Sequence, residues 1–236
     1  MLRNETVNDA FVGLSTPLLS DACMRLGVSL RLAPFGVYSL YPTCHVAGRV
    51  LPVRHYGSVD IFLEALQASK RGDILVIDNG GRTDEACIGD LTALEAKAAG
   101  LTAMIVWGCH RDTSELAEIG FPIFSYGSFL AGPSRLDPRD SDALKSAHFG
   151  DFEVSGDDFV FADSDGVLFV PNGNVQTVLT TARSIWEVER RQADAIRAGR
   201  TLREQLNFND YLTKRSQDPS YTFRKHLRSL GGAVEA

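Results

Sequence analysis

The chain has 236 residues, 44% hydrophobic and 23% charged, enough apolar material to bury a real core in one large domain or one domain with an extension. Its net charge of −6 argues against a non-specific nucleic-acid binder. No apolar run is long enough for a signal peptide or a bilayer span, so the expectation is a cytoplasmic protein with no membrane partner.

TPLLSDACMRLG, residues 16 to 27, reads as a helix, with Pro17 in its first turn and Gly27 as its C-terminal cap. HVAGRVLPV reads as a strand broken by Gly48 and Pro52, and VDIFLEALQAS as an amphipathic helix ended by KRGD. ILVID, 74 to 78, is a short buried strand followed by a loop, NGGRTDEACIG. DLTALEAKAAG is a helix with Asp90 at the N-cap and Gly100 closing it. TAMIVWG, TSELAEIG and PIFSYG then predict strand, helix, strand. Such alternation predicts consecutive right-handed βαβ units with parallel strands.

Residues 128–150 read as a long loop, and GDFEVSGDDFVFADSDGVLFVP as antiparallel strands turning at DSDG. A helix from Val175 to about Gly199 carries the charged face EVERRQADAIR. Residues 1–199 form the main domain on this reading, and 200–236 an amphipathic extension packing on its own or a neighbouring subunit. Cys23, Cys44, Cys87 and Cys109 contain no CxxC pair, so they read as small buried hydrophobes rather than disulfides or zinc ligands.

A helix following a parallel strand starts at the edge where the next strand ends, and open α/β sheets bind ligands there. The start of helix 90–99 and the residues after strand 103–108 should therefore converge. That brings Asp90 near Arg111 and Asp112 of WGCHRDTSEL. The free amides of Leu91 and Thr92, with the positive end of the helix dipole, suit a small carboxylate. Arg111 offers a planar fork for a carboxylate or an enolate oxygen. Asp112 is a hard oxygen ligand better suited to Mg²⁺ than to Zn²⁺. Plainer roles are available: Asp90 as a helix cap, and Arg111 with Asp112 as an ion pair or as a cap of helix 113–119. Spacing alone leads to an anion site with a divalent metal as one option.

Asp90, twenty intervening residues, then Arg111-Asp112 resembles the D-x20-R-D signature of the RraA-like superfamily in its class II pyruvate aldolase branch. That branch contains the 4-hydroxy-4-methyl-2-oxoglutarate / 4-carboxy-4-hydroxy-2-oxoadipate aldolases. The likeness extends through STPLLSDACMRLG, GDILVIDNGG, IGDLTALEAKAAG, GCHRD, PIFSYG and DSDGVLFVP, whereas the tail beyond about Gly199 is longer than in compact members.

The resemblance implies an α/β fold of the swivelling β/β/α type, assembled as homotrimers or dimers of trimers with sites between subunits. It implies Mg²⁺ or Mn²⁺ held by Asp112 with an acid of the neighbouring subunit, Glu187 or Glu189. Either glutamate reads equally well as part of a solvated helix face. Gly89, Asp90, Leu91, Thr92 and Arg111 would bind the 2-oxo acid, with Arg111 and Asp90 catalytic. The implied reaction cleaves a 4-hydroxy-2-oxo acid to pyruvate and a second carbonyl compound, with oxaloacetate decarboxylation as a second activity.

No lysine accompanies the motif, which disfavours a Schiff-base route. Phe129, Arg135 and Arg139 are candidates to meet a distal substrate carboxylate, while Asp163 and Asp165 resemble a hairpin turn without chemistry. The alternative class is a non-catalytic regulator of the RraA type that binds ribonuclease E.

Overall fold

A computed structural model of the chain describes residues 2–230. Helices α1 (Asn4–Phe11) and α2 (Thr16–Leu26) come first, then two short strands, β1 (Arg31–Leu32) and β2 (Tyr38–Ser39). The centre is β3 (Val46–Arg54), α3 (Asp60–Gln67), β4 (Ile74–Ile88), α4 (Asp90–Ala98), β5 (Ala103–His110), α5 (Thr113–Ile119) and β6 (Ile123–Ser125). Four strands follow, β7 (Ser146–Phe149), β8 (Phe152–Ser155), β9 (Asp158–Asp163) and β10 (Gly166–Pro171). The chain continues into the long helix α6 (Asn172–Arg197) and the tail helices α7 (Leu202–Gln205), α8 (Phe208–Gln217) and α9 (Phe223–Leu230).

One eight-stranded sheet runs β1-β10-β9-β3-β4-β5-β6-β2, while β7 and β8 pair apart from it. As the alternation predicts, β3, β4, β5 and β6 are parallel neighbours. The outer strands add antiparallel. β3 serves both halves, its residues 46–49 pairing with β9 and 50–54 with β4. It is not broken at Gly48 or Pro52, contrary to the sequence expectation. Pairing with β9 stops at Arg49, so Pro52 lies where β3 has a strand on one side only, and a residue lacking an N–H is tolerated as on an edge.

β4 also departs from expectation, for it continues through NGGRTDEACI to Ile88. Its register against β5 shifts between Asp78 and Arg82, between Arg82 and Ala86, and between Ala86 and Ile88. Bulges destroy the two-residue period, which is why this half of the strand reads as a loop in sequence.

Alternation sorts the central side chains between two cores. Leu51, Val53, Leu75, Ile77, Met104 and Val106 face the cluster formed with α3, α4 and α5. Val50, Ile74, Val76, Ala103 and Ile105 face the other side, against β7, β8 and one face of β9 and β10. The remaining face of β9 and β10 packs through Phe159, Phe161, Leu168 and Val170 on α1, α2 and α6. The DSDG segment is the predicted turn: Asp163 accepts the Thr16 N–H (2.7 Å), the Thr16 hydroxyl (2.6 Å) and the Asp165 N–H (2.9 Å). It thereby caps α2 from a distant strand.

The buried residues of α6 all lie between Val175 and Ile185. Its second half carries the tail, where His226 and Leu227 are fully buried against Leu206, Tyr211 and Phe223. Gln205 Nε2 donates to the Gln192 and Arg200 carbonyls and fastens this cluster to the end of α6. Among the described residues no helix is long and apolar enough to cross a membrane. All four cysteines are free, and three are buried.

Candidate active site

The start of α4 and the end of β5 meet as topology requires. The Arg111 N–H donates to the Ile88 carbonyl (3.0 Å), tying the last residue of β4 to the residue after β5. The next residue, Asp112, adopts φ 60°, ψ 44°, a left-handed conformation that costs a side-chain-bearing residue energy and that Asp tolerates better than most. The turn aims its carboxylate back across the sheet edge, where Oδ2 lies 3.4 Å from the Asp90 amide. Arg111 Nε lies 3.5 Å from the same oxygen. Half of the Arg111 side chain and a third of that of Asp112 remain exposed.

Gly89, not Asp90, is the N-cap of α4, one residue earlier than the sequence indicates. The reason is room. A Cβ at position 89 would stand 2.2 Å from Asp112 Oδ2 and 3.4 Å from Arg111 Cγ. The Asp90 carboxylate, now in the first turn, accepts the Leu91 N–H at 2.7 Å. A ligand carboxylate would therefore compete with Asp90 for that amide.

Asp90, Arg111 and Asp112 thus come together with Gly89, Leu91 and Thr92 at one helix start. Glu187 and Glu189 do not join them within the chain. Both belong to the second half of α6, the helix whose first half packs on α1, α2, β9 and β10; Glu187 is exposed, and Glu189 lines a groove of about 290 Å³ with Leu14, Asp21 and Arg190.

Among the described residues, no three His, Cys, Asp or Glu side chains converge as a metal cluster. The donors present still fit a hard cation. Asp112 offers a partly exposed carboxylate in a cradle that only a glycine at 89 leaves open, and one or two carboxylates completed by water suit Mg²⁺ or Mn²⁺.

Three expectations for residues 128–150 are corrected, the first being that all of them are loop, since Ser146–Phe149 form β7. Arg139 pairs with Glu64 at 2.8 Å, and Arg135 is engaged by Glu85 (2.9 Å) and by Asp137, so neither offers a free fork to a distal carboxylate. Sequence reasoning also missed a buried polar cluster beside the site. His55 Nδ1 and Arg135 Nη2 each lie 2.8 Å from Asn79 Oδ1. Arg135 Nε is 3.0 and 3.2 Å from the two Glu85 oxygens. His55, Asn79 and Glu85 are all buried, and Asn79 Nδ2 has no partner among the described residues. These residues come from three distant segments with no periodic pattern, so no sequence signal pointed to the cluster.

His110 was missed as well; its Nδ1 meets Ser125 Oγ at 2.7 Å, and Nε2 lies 3.3 Å from Thr113 Oγ1. Burial lowers the pKa of both His55 and His110. Burial raises that of the Cys109 thiol, which removes it as a ready nucleophile.

Several known proteins are similar to this chain. A protein of Bacillus cereus named "Putative 4-hydroxy-4-methyl-2-oxoglutarate aldolase" is 34% identical over 150 residues, 63% of this chain and 92% of that protein. "Protein DlpA" of Legionella pneumophila is 30% identical over 132 residues, 56% of this chain but only 21% of that protein's length. The crystal structure of an uncharacterized protein from Pseudomonas syringae pv. tomato superposes with a TM-score of 0.75 at 25% identity. That match covers 86% of this chain and 98% of the other. The RraA-like family profile, described as Aldolase/RraA, matches residues 16–169, spanning the described site, and the chain belongs to that family.

Proposed function

We propose that this chain is a divalent-metal-dependent aldolase that cleaves a 4-hydroxy-2-oxo acid, of the 4-hydroxy-4-methyl-2-oxoglutarate type, to pyruvate and a second carbonyl compound. Decarboxylation of oxaloacetate is its expected second activity. One observation carries the reading: a left-handed Asp112 turns a partly exposed carboxylate onto the start of α4 beside Arg111, at the carboxyl edge of parallel strands.

When bound, Mg²⁺ or Mn²⁺ supplies Lewis-acid stabilisation for charge developing on the 2-oxo oxygen. Asp112 would hold it, with Glu187 or Glu189 of a neighbouring copy. The start of α4 receives the substrate carboxylate through its dipole and the Thr92 amide, the Leu91 amide being held by Asp90. The Arg111 fork steadies the enolate oxygen as the C3–C4 bond breaks. The C4 hydroxyl proton passes to a water oriented by Asp90, whose Oδ1 is occupied by Leu91 and whose Oδ2 serves the water. Protonation of the enolate at C3 then releases pyruvate.

Assembly as a homotrimer or dimer of trimers belongs to this reading. In support, Leu91 is 75% and Leu130 96% exposed at the rim of the site, apolar surface that a neighbouring copy would cover.

The test couples pyruvate release to lactate dehydrogenase, with 4-hydroxy-4-methyl-2-oxoglutarate and oxaloacetate, Mg²⁺ or Mn²⁺, and EDTA. Release that stops with EDTA and in Asp112→Ala is expected. No release from either substrate, with no binding of pyruvate or oxalate, would sink the aldolase reading and return attention to a regulatory role.

A further inference from the structure

The loop that follows β6 crosses the site edge along a path fixed at defined points. The Phe129 N–H donates to the His110 carbonyl (2.8 Å), the Ala86 N–H to the Ala131 carbonyl (2.8 Å), and the Asp137 N–H to the Tyr56 carbonyl (2.9 Å). Between the last two, Arg135 enters the cluster of Glu85, Asn79 and His55. Burial works against the charge on Arg135, and the Glu85 and Asp137 carboxylates overcome it. Glu85 is 4% exposed, so removing Arg135 would leave a buried carboxylate with only Arg82, 3.6 Å away, to answer it. The anchor is thus strongly coupled to the path of the loop.

That path matters because of Gly132. A Cβ there would stand 3.1 Å from Arg111 Nη1, so bare backbone backs the guanidinium. Arg111 is otherwise loosely held, its Nε 3.5 Å from Asp112. A long, half-exposed side chain has many rotamers, and a donor fork acts on a developing charge only when it is held in place.

We infer that Arg135, seated on Glu85 and Asn79, is a positioning residue that holds Gly132 against Arg111 and so presets the Arg111 fork for its anionic ligand. Lysine cannot replace it, because a single ammonium cannot bond Glu85 and Asn79 together as the planar fork does. The inference rests on the reading of Arg111 as the anion-binding residue.

The experiment compares Arg135→Lys, Arg135→Ala and Gly132→Ala with wild type and with Arg139→Ala, a control on the same loop. Oxalate binding is measured calorimetrically with Mg²⁺. The Arg111 Nε–H signal is followed by NMR in ¹⁵N-arginine-labelled protein and assigned by its loss in Arg111→Ala. Arg135→Lys and Gly132→Ala are expected to weaken oxalate by about 10- to 100-fold and to shift the Arg111 signal, with Arg139→Ala unchanged. If Arg135→Ala does not fold, Arg135→Lys decides, since a Cβ at position 132 meets Arg111 directly whatever Arg135 does. Wild-type affinity and an unmoved Arg111 signal in Arg135→Lys would overturn the inference, whatever Gly132→Ala does. If wild type neither binds oxalate nor releases pyruvate, the aldolase reading falls, and the Arg111 signal alone still decides the positioning role.

Discussion

Two Arg–Asp pairs lie at opposite ends of β4, and they differ in what is left over. At the start of the strand, Asp73 is fully buried, and Arg49 grips it from Nη2 (2.5 Å) and Nε (3.1 Å). The Asn4 amide and the Lys70 N–H, each at 2.9 Å, complete its partners. This pair is saturated, and it ties α1, β3 and the turn before β4 into one unit. Beyond the far end, Arg111 and Asp112 stand 3.5 Å apart, partly exposed, on a left-handed backbone. A carboxylate with all its lone pairs answered is a strut, whereas one held in an unfavourable conformation with capacity to spare is available for a ligand.

The sharpest way to break this contrast is to remove each acid in turn. Asp73→Ala leaves Arg49 nearly buried and unpaired, and the expected loss is about 3–5 kcal/mol of stability. A stability loss of under about 1 kcal/mol by urea unfolding would show that the pair is not the strut described. Asp112→Ala should do the reverse. Alanine bears the left-handed backbone less well than aspartate, so a stability cost of about 1 kcal/mol is expected, well below that of Asp73→Ala, while pyruvate release is lost. Arg111→Ala should cost about 10²–10³-fold in turnover at unchanged stability, measured by the same coupled assay beside thermal unfolding.

The smallest effect concerns pH. Burial holds His55 and His110 below their ordinary value of 6.5. Below that value the unfolded chain takes up protons that the native rings refuse. Stability should therefore fall as pH drops below 6.5, by at most about 1.4 kcal/mol per pH unit for each ring, and level off above it. Denaturation at about pH 5.5, 6.5 and 7.5 reads this directly, and stability rising on acidification would contradict it.

Much of the parallel half was legible because its side chains obey simple periods. In AMIVWG and ILVI successive residues divide between two cores, and LEAKAAG carries strong helix formers into a glycine stop. Convergence of Asp90 with Arg111 and Asp112 then followed from βαβ geometry alone. The second half of β4 was opaque because three register shifts erase its alternation. The N-cap fell one residue early because Asp112, a remote side chain, needs the space above Gly89. The Glu85–Arg135 cluster was invisible for the same physical reason: its members meet only after three segments have been laid side by side.

The shape of α6 has a mechanical consequence. Trp186, Glu189 and Arg190 are the last residues of that helix to meet α2 or its core, so residues 191–197 form a cantilever of about 10 Å bearing the tail cluster at its far end. Leverage magnifies small movements at the root: a tilt of about 10° at Arg190 sweeps the tip through about 2 Å, on the geometry of a straight helix. Because α8 and α9 share their own aromatic core, the load on that beam travels as one piece rather than unravelling.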